Sequence, residues 1–401
     1  MASLRICISA PGKVILHGEH SVVYDKLALA ASLGLRTRLE FCEFEEGEGG
    51  EVEFCDLGIS HCYNFKDIHQ LLATPIPLTK PPAYYNLSHP EFLSHEEVVK
   101  IIETFVSVKF QEPKQRQALI SFFYLFWTIL GSTDSVLKRF KLTLRSDLTV
   151  GAGTGSSASF AVTIAAFLLQ FIKIKKFESK FFYKTITELN LENLNGFDQV
   201  ELDLVSKWAF QSERIIHGTP SGVDNTICTF GGLVSFRKST TPHLIQLSSK
   251  LTLILINTNT PRDTKHLVGK VASKRVKYRP IIDAILDAMD QTTIKALDYL
   301  QKIDNSDVLE LYEALGELVD VNQNLLRCLG VSHPRLDEAC ETLAEFGLHG
   351  KLTGAGGGGC AICVVPPYGQ ERVDEVIAEL KKKGFGAVFT DLGGYGVRVD
   401  Q

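Results

Sequence analysis

The segment from Val150 to Ser159 combines residue types that bind phosphate. It reads Val-Gly-Ala-Gly-Thr-Gly-Ser-Ser-Ala-Ser and continues into an apolar, helix-forming run. A glycine turn that opens onto a helix N-terminus presents unpaired N–H groups and a positive partial charge, which favour an anion. Hydroxyl groups placed there could also be ligands of a phosphate-bound Mg²⁺. We therefore expect a nucleotide-phosphate site formed by Gly151, Ala152, Gly153, Thr154, Gly155, Ser156 and Ser157.

This loop differs from the two common nucleotide-binding fingerprints. The lysine of a P-loop is missing between Gly151 and Ser157, and Ser156 stands where a dinucleotide fingerprint has its third glycine. The protein-kinase strings His-Arg-Asp and Asp-Phe-Gly do not occur in the sequence. A glycine turn with serine as an ordinary helix N-cap is the alternative interpretation, and the loop alone leaves it open.

A second group of chemically useful residues lies in Ala10–His20. Lys13 follows a Pro-Gly turn, from which its ammonium group could reach a transferring phosphate or the oxygen that attacks it. Glu19 and His20 add polar groups to the same, otherwise apolar segment. Taken singly, these residues are equally consistent with a surface lysine and a buried structural histidine.

Two carboxylates stand close together in the segment Gln211–Asn225. Glu213 lies on the last turn of an expected helix, and Asp224 follows a loop of glycine, proline and serine. One could bind a metal ion while the other contacts a substrate hydroxyl, as metal-assisted phosphoryl transfer requires. The alternatives are an exposed helix carboxylate for Glu213 and a turn residue for Asp224.

The fourth group is the glycine-rich stretch Thr353–Gly359. Its four consecutive glycines, Gly356–Gly359, cost backbone entropy, so the backbone itself must be needed there. Close approach to a ligand near the first glycine loop would explain them. A flap or a helix–strand corner is the alternative.

Composition limits the class of protein. A chain of 401 residues favours two domains, and 45% hydrophobic with 22% charged residues is ordinary for a globular protein. A net charge of −5 argues against a nucleic-acid partner. The first residues lack a secretion-signal pattern, and the uncharged run Thr154–Ile172 begins with polar residues, which suits a buried helix better than a membrane span.

The nine cysteines follow no disulfide framework, which favours a reducing, cytoplasmic location. Cys360 and Cys363 have the spacing of a redox motif but lie in an apolar, strand-like run. We expect both sulfurs to pack in the core, because free cysteine is usually buried.

The strands and helices that position these residues can be predicted from hydrophobic periodicity and from turn-forming and capping residues. Arg5–Ala10 and Val14–Leu16 are expected to be short strands separated by a turn at Pro11-Gly12, and the acidic stretch Glu43–Glu53 an exposed hairpin tip. Asp198 and Glu201 form a capping box that predicts the start of a helix. The expected strands and helices of this half include Leu27–Glu40, Gln115–Leu130, Arg139–Leu148 and Gln199–His217.

In the second half, strands and helices again mix without regular alternation, so we predict an α+β fold in both halves. The expected domains are 1–246 and 247–385, with 386–401 packing back on the first. The expected elements are a strand at Leu251–Asn257, helices at Thr264–Met289, Ile294–Leu300, Val308–Cys328, Pro334–Phe346 and Gln370–Lys383, a strand at Cys360–Val365 and a terminal strand pair ending at Val399.

Together and in this order, the motifs resemble those of the GHMP kinase superfamily. Four stretches carry the resemblance, which runs nearly end to end: Ala10–His20, Lys207–Arg214, His217–Asn225 and Lys351–Cys360. The resemblance implies a two-domain α+β architecture, with an N-terminal lobe like ribosomal protein S5 and a ferredoxin-like C-terminal lobe. It also implies ATP-dependent phosphorylation of a small alcohol.

The match is best to the eukaryotic branch that converts mevalonate to 5-phosphomevalonate for isoprenoid and sterol precursors. A sibling kinase acting on phosphomevalonate or galactose is the closer alternative, and a catalytically silent ligand-binding member is a second one. The opening around Val14 differs from that of galactokinase, and occupied Lys13 and Asp224 positions argue against a silent member.

The resemblance also assigns roles. Asp224 would be the catalytic base and Lys13 would neutralise charge at the reacting oxygens, while Ser157 and Glu213 would hold Mg²⁺ on the phosphates of ATP. Cytoplasmic homodimers are typical of this branch, as is inhibition by prenyl diphosphates, for which Phe160 and Ile164 could form an apolar wall. The residues that would line the substrate side are Lys13, Glu19, His20, Asp224, Thr353, Gly354, Ala355 and Gly356.

Two departures from the family pattern are visible. Thr149 and Val150 replace the usual start of the glycine loop, and Thr154 replaces a leucine, while the glycines and serines remain. We expect the phosphate site to survive this change. The stretch 43–113 matches the family loosely and receives no role.

Overall fold

The computed structural model describes residues 2–80, 86–106, 112–133, 137–179, 189–218, 220–245, 251–303 and 308–400. In this part of the chain, the strands are β1 (Ala2–His17), β2 (Ala28–Phe44), β3 (Gly50–Phe54), β4 (Ile59–Tyr63), β5 (Arg139–Ser146), β6 (Leu233–Phe236), β7 (His243–Ile245), β8 (Leu251–Asn257), β9 (Lys351–Leu352), β10 (Cys360–Val365), β11 (Gly386–Leu392) and β12 (Arg398–Asp400). The helices are α1 (Phe65–Ala73), α2 (His95–Val106), α3 (Pro113–Leu130), α4 (Ser156–Ser179), α5 (Gln199–His217), α6 (Val223–Phe230), α7 (Thr264–Lys277), α8 (Arg279–Lys302), α9 (Val308–Leu329), α10 (Pro334–Glu345) and α11 (Val373–Lys382).

The strands form two sheets that meet at one point. The first contains β1 to β7 together with β12, and the second contains β8 to β11. They join where Leu392 of β11 pairs with Leu33 of β2. Helices pack on both sheets, so the predicted α+β fold is confirmed. The expected domain boundary at 246–247 lies outside the described residues.

The end of the chain contributes to both sheets. β11 pairs with β8 in the second sheet, whereas β12 pairs with β1 in the first. The expected terminal strand pair is therefore wrong, because these two strands find different partners. Arg36 fixes the segment between them by donating to the carbonyls of Tyr395 and Gly396.

β1 is one continuous strand, in contrast to the two short strands expected around Pro11-Gly12. The register against β2 shifts between Pro11 and Lys13, so the pair forms an irregularity within the strand rather than a turn. At this point, the backbone N–H of Lys13 donates to the carbonyl of Thr154, at 2.8 Å. A Cβ on Gly12 would lie 2.8 Å from the same carbonyl oxygen. The irregularity therefore brings β1 against the first glycine loop.

Two other local expectations are also corrected. The acidic stretch before β3 does not join a hairpin, because β5 lies between β2 and β3 in the sheet. The long helix expected to end at Met289 is instead broken at Tyr278, and α8 starts at Arg279 with Pro280, which has no backbone N–H donor, in its first turn. α8 then continues through Thr292 and Thr293, whose hydroxyls bond to carbonyls one turn back in the helix.

We call the part of the protein around the first sheet the first lobe and the part around the second sheet the second lobe. The core of the first lobe is built around α3, α4 and α5. Trp127, Phe122, Phe167 and Trp208 are fully buried or nearly so. α4 is long and apolar enough to span a membrane, but 83% of its most apolar stretch is buried inside the protein, as in a core helix. The capping box predicted for the start of α5 is confirmed, since Asp198 and Glu201 form it in the structure.

Candidate active site

The first glycine loop places the N-terminus of α4 beside Lys13. Gly151, Gly153 and Gly155 all have left-handed backbone angles, with φ between 72° and 84°. Glycine adopts these angles without steric cost. A Cβ on Gly155 would lie 2.8 Å from the Lys13 side chain. The loop therefore packs directly beside the Lys13 stem, and α4 starts at Ser156.

Lys13 and Asp224 form an ion pair at the mouth of this loop. The distance from Lys13 Nζ to Asp224 Oδ1 is 3.2 Å, and the lysine side chain is 8% exposed against 38% for the aspartate. Asp224 lies in the first turn of α6, after Gly222 in a left-handed conformation. Asn225 anchors this helix by donating to the carbonyl and hydroxyl of Ser206 on α5. The carboxylate is thus held firmly while one side remains accessible.

Ser157, Glu213 and His217 form a second cluster. Ser157 Oγ lies 3.2 Å from Glu213 Oε2 and 3.2 Å from His217 Nε2. Burial lowers the pKa of His217, an effect increased by the Lys13 charge and opposed by that of Asp224.

The Glu213 carboxyl group suits a divalent cation. Burial raises its pKa to about 7, and the negative charge of Asp224 adds to the increase, while the Ser157 bond and the Lys13 charge oppose it. Its Oε1 atom is buried and has no hydrogen-bond partner among the described residues. A carboxylate oxygen without a partner is costly to bury, and a cation would satisfy it. Ser157 and Glu213, both expected from the sequence, therefore fit a magnesium site.

Arg262 is a site residue that sequence reasoning missed. It follows β8 and lies between the two glycine loops: a Cβ on Gly153 would be 1.8 Å from its Nη2, and one on Gly354 would be 2.6 Å from its Nη1. The guanidinium has no ion-pair partner among the described residues and makes only a long, 3.5 Å contact with the Thr353 carbonyl. Burial lowers its pKa, while the charge of Asp224 partly offsets this effect. A single arginine after a proline matches no motif, so the sequence does not indicate a place in the site for Arg262.

The second glycine stretch, Thr353–Gly359, makes mainly structural contacts, including contacts with β1. The Thr353 hydroxyl accepts from the N–H of Ile15 and donates to its carbonyl, at 3.1 and 2.8 Å. His20 Nε2 lies 2.8 Å from the Ala355 carbonyl. Gly356 packs on the Val331 carbonyl, which a Cβ would approach to 2.1 Å. The structure therefore brings Gly354 to the Arg262 side of the cleft, while Thr353 and Gly356 make structural contacts.

Glu19 is buried, which differs from its expected place on the substrate side. Its side chain and that of Lys351 are both 0% exposed, and they form an ion pair. Glu19 Oε2 also accepts from Asn322, and Lys351 donates to the Leu352 carbonyl. Burial raises the pKa of Glu19 and lowers that of Lys351, while each charge stabilises the other. The pair ties the segment after β1 to the second lobe.

Two further expectations concern residues in the core. Phe160 and Ile164, suggested as an apolar wall, are 9% and 0% exposed and pack inside the first lobe, because α4 is a central core helix. Cys360 and Cys363 are free and buried, and burial raises the pKa of their thiols to about 11 and about 12. Neither thiol is suited to redox chemistry.

Comparison with known proteins identifies the family of this chain. The family models described as "GHMP kinases N terminal domain" and "GHMP kinases C terminal" match residues 122–232 and 307–386. Mevalonate kinase of Bos taurus is 35% identical over 400 residues, covering 100% of this chain and 96% of the relative. The chain therefore belongs to the GHMP kinases and, within them, to the mevalonate kinase family.

Solved structures share the fold. Methanococcus jannaschii mevalonate kinase superimposes with a TM-score of 0.67 at 22% identity, covering 100% of this chain and 99% of that one. L. major mevalonate kinase in complex with R-mevalonate gives a TM-score of 0.64 at 20% identity, covering 97% and 96%. At these identities, the likeness is one of architecture.

Lys351→Met should destabilise the protein strongly, because it leaves the Glu19 carboxyl buried without its partner. Removing one member of a buried ion pair costs about 3–5 kcal/mol. Lys351→Met combined with Glu19→Gln should recover a large part of that loss. Guanidinium unfolding of both variants would measure this, with Lys381→Met on the exposed face of α11 as the control. A Lys351→Met midpoint equal to that of the control would contradict the role of the pair.

Proposed function

We propose that this protein transfers the γ-phosphoryl group of ATP to mevalonate, giving 5-phosphomevalonate for isoprenoid and sterol precursors. The observation that carries the proposal is the Lys13–Asp224 pair beside the glycine loop. It sets a carboxylate and an ammonium group where a hydroxyl could attack a bound phosphate. Full-length similarity to mevalonate kinases supports mevalonate as the alcohol.

Asp224 is the residue that receives or polarises the proton of the substrate hydroxyl. Its exposed side is accessible to a substrate, and Lys13 pairs with it on the other side. Lys13 also neutralises negative charge that builds up on the attacking oxygen and the phosphoryl group. Phosphoryl transfer depends chiefly on such positioning and electrostatics, so both residues act through their fixed geometry.

The phosphates of ATP are bound from both sides of the cleft. The N–H groups at the start of α4 face them from the first loop, and Arg262 supplies unpaired guanidinium donors from the second lobe. Mg²⁺ held by Ser157 and Glu213 would neutralise phosphate charge when bound. Glu213 must be ionised to hold the ion. Burial and the charge of Asp224 raise its pKa to about 7, and the Ser157 bond and the nearby Lys13 oppose this increase.

The protein is further proposed to act as a cytoplasmic homodimer. The support is the family pattern and the free state of its nine cysteines, none of which is in a disulfide in the described structure. Sedimentation of the purified protein tests the oligomeric state.

Purified protein should release ADP with mevalonate, and not with phosphomevalonate, homoserine or galactose, in a coupled assay. Asp224→Asn should keep the fold and nucleotide binding but lose about 10²–10⁴-fold in kcat, because a positioned proton acceptor is removed. Turnover with galactose or phosphomevalonate alone would move the protein to a sibling function. No turnover with any of the four would indicate a silent member, and a near-normal kcat for Asp224→Asn would remove this residue from the mechanism.

Ser157→Ala and Glu213→Gln should each raise the Mg²⁺ concentration that gives half-maximal rate, because each removes a hard oxygen ligand. Initial rates across a Mg²⁺ titration at saturating ATP measure the effect. Ser273→Ala, on the exposed face of α7, should titrate like the parent. If the two site variants also do so, the ion is held elsewhere and Ser156 is the next candidate.

A prenyl diphosphate, such as farnesyl diphosphate, is proposed to inhibit by occupying the phosphate site. The first glycine loop and Lys13 can bind a diphosphate without contacting a nucleotide base. Since Phe160 and Ile164 are in the core, the prenyl tail must lie against other residues.

Inhibition by farnesyl diphosphate should be competitive with ATP and not with mevalonate. Initial rates at varied concentrations of each substrate would measure the pattern. Competition with mevalonate alone, or no inhibition at saturating farnesyl diphosphate, would end this proposal and leave the kinase assignment in place.

A further inference from the structure

A cavity beside the end of β1 has no role in the proposed reaction. It lies between the last residues of β1, Leu16 and His17, and the face of α9 that carries Val319. Its volume is about 40 Å³, and it is partly open to solvent. Neither Lys13 nor Asp224 is among the described residues that line it. The cavity is therefore separate from the candidate active site.

The wall of this cavity is mainly apolar. Leucine, isoleucine and valine side chains of β1, α8, α9 and β10 form most of it, and no lysine, arginine, aspartate or glutamate lines it in the part of the chain that the structure describes. His349, which also lines it, is partly exposed and pairs with Asp320 at 2.7 Å. A charged group is costly to bury against such a wall unless it is paired. The lining therefore favours an uncharged occupant with an apolar body.

His17 is the buried polar group of this wall. The residue is 3% exposed, and its Nδ1 atom has no hydrogen-bond partner among the described residues. Burial, helped by the positive charge of Lys351, lowers its pKa to about 3, so the ring is neutral. One nitrogen of a neutral imidazole donates and the other accepts. Because an unpaired polar group is costly to bury, a hydrogen-bond partner inside the cavity would stabilise the ring.

An alcohol suits this ring better than water does. A buried water makes about three hydrogen bonds, and an apolar wall supplies few partners for them. A hydroxyl group can donate or accept, so it fits whichever nitrogen of His17 faces the cavity. The carbon atoms attached to the hydroxyl would cover the apolar wall and displace weakly held water, which favours binding.

We propose that this cavity is a binding site for a small uncharged alcohol whose hydroxyl group bonds to the ring of His17. The inference does not depend on the proposed function. One water requires about 10–15 Å³, so the cavity has room for a hydroxyl group and a short carbon chain. The occupant would contact β1 and α9 together, and α9 also carries Asn322, which donates to Glu19. Binding would therefore stabilise the contact between β1 and the second lobe.

The test is an NMR titration of the full-length protein, labelled with ¹³C in its histidine rings, with isobutanol as the probe. The His17 signal is the one that is missing in His17→Phe. We expect a saturable shift of this signal with isobutanol. Isobutyrate and isobutylamine, which carry a charge on the same carbon skeleton, should produce no such shift. A His17 shift no larger than that of the exposed His243, or an equal shift with the charged analogues, would overturn the proposal.

Val319→Phe and Val321→Phe form a matched pair of variants on α9. Val319 lines the cavity and is 9% exposed, whereas Val321 is 46% exposed. The larger ring at position 319 should fill the cavity and weaken isobutanol binding by about tenfold or more, the scale of one misplaced methylene in an apolar pocket. The same change at position 321 should leave the affinity unchanged. Equal affinities in the two variants would contradict binding in this cavity.

Mevalonate is itself an alcohol and provides the remaining control. Saturating mevalonate should leave the isobutanol-induced shift of His17 in place, because the apolar cavity excludes a carboxylate. Displacement of isobutanol by mevalonate would mean that the probe occupies the substrate site, and the proposal would fail. A negative result in the kinase assay would not affect this titration, since none of its steps requires turnover.

Discussion

The buried ion pair between Glu19 and Lys351 is the constraint on which the site depends. Both side chains are removed from water, and the cost of burying each charge is tolerable only while the other is present. Glu19 lies two residues after β1, the strand that carries Lys13, and Lys351 begins β9 in the second lobe. Thr353 makes a second connection between β1 and the second lobe, because its hydroxyl is hydrogen-bonded to the backbone of Ile15. The position of Lys13 is therefore fixed by both lobes.

Close approach of backbones is the second constraint. Gly12, Gly153 and Gly354 each lack a side chain at a point where a Cβ would collide with a neighbour. This allows β1 to touch the first loop and lets Arg262 fit between the two loops. The glycines thus allow cationic groups from different lobes to reach one small region of the cleft. Phosphates, which carry the opposite charge, would bind there.

Local signals in the sequence predict local structure, whereas partnerships between distant residues leave no such signal. The capping box of Asp198 and Glu201 depends on residues three apart, so α5 began where predicted. Pro11-Gly12 looked like a turn because the strand pairing on either side of it, and the Thr154 carbonyl that meets Lys13, come from elsewhere in the chain. The ion pair of Glu19 leaves no local signal for the same reason, since its partner Lys351 lies far along the sequence. Motifs in family order predict that Lys13, Glu213 and Asp224 lie together, and the glycine loop predicts Ser157. Periodicity alone could not supply these predictions.

The pairing of β12 with β1 has a consequence for how the protein is made. β1 is translated before the other elements described here and β12 after them, yet the two strands are neighbours in one sheet. Contacts between such distant segments form slowly, because a long stretch of chain must be ordered to close them. On the ribosome, the lobe that carries Lys13 must wait with an unpaired strand edge until β12 has been synthesised. During that interval, the nascent chain offers a template for pairing with other chains, and a chaperone that shields this edge would have most to protect.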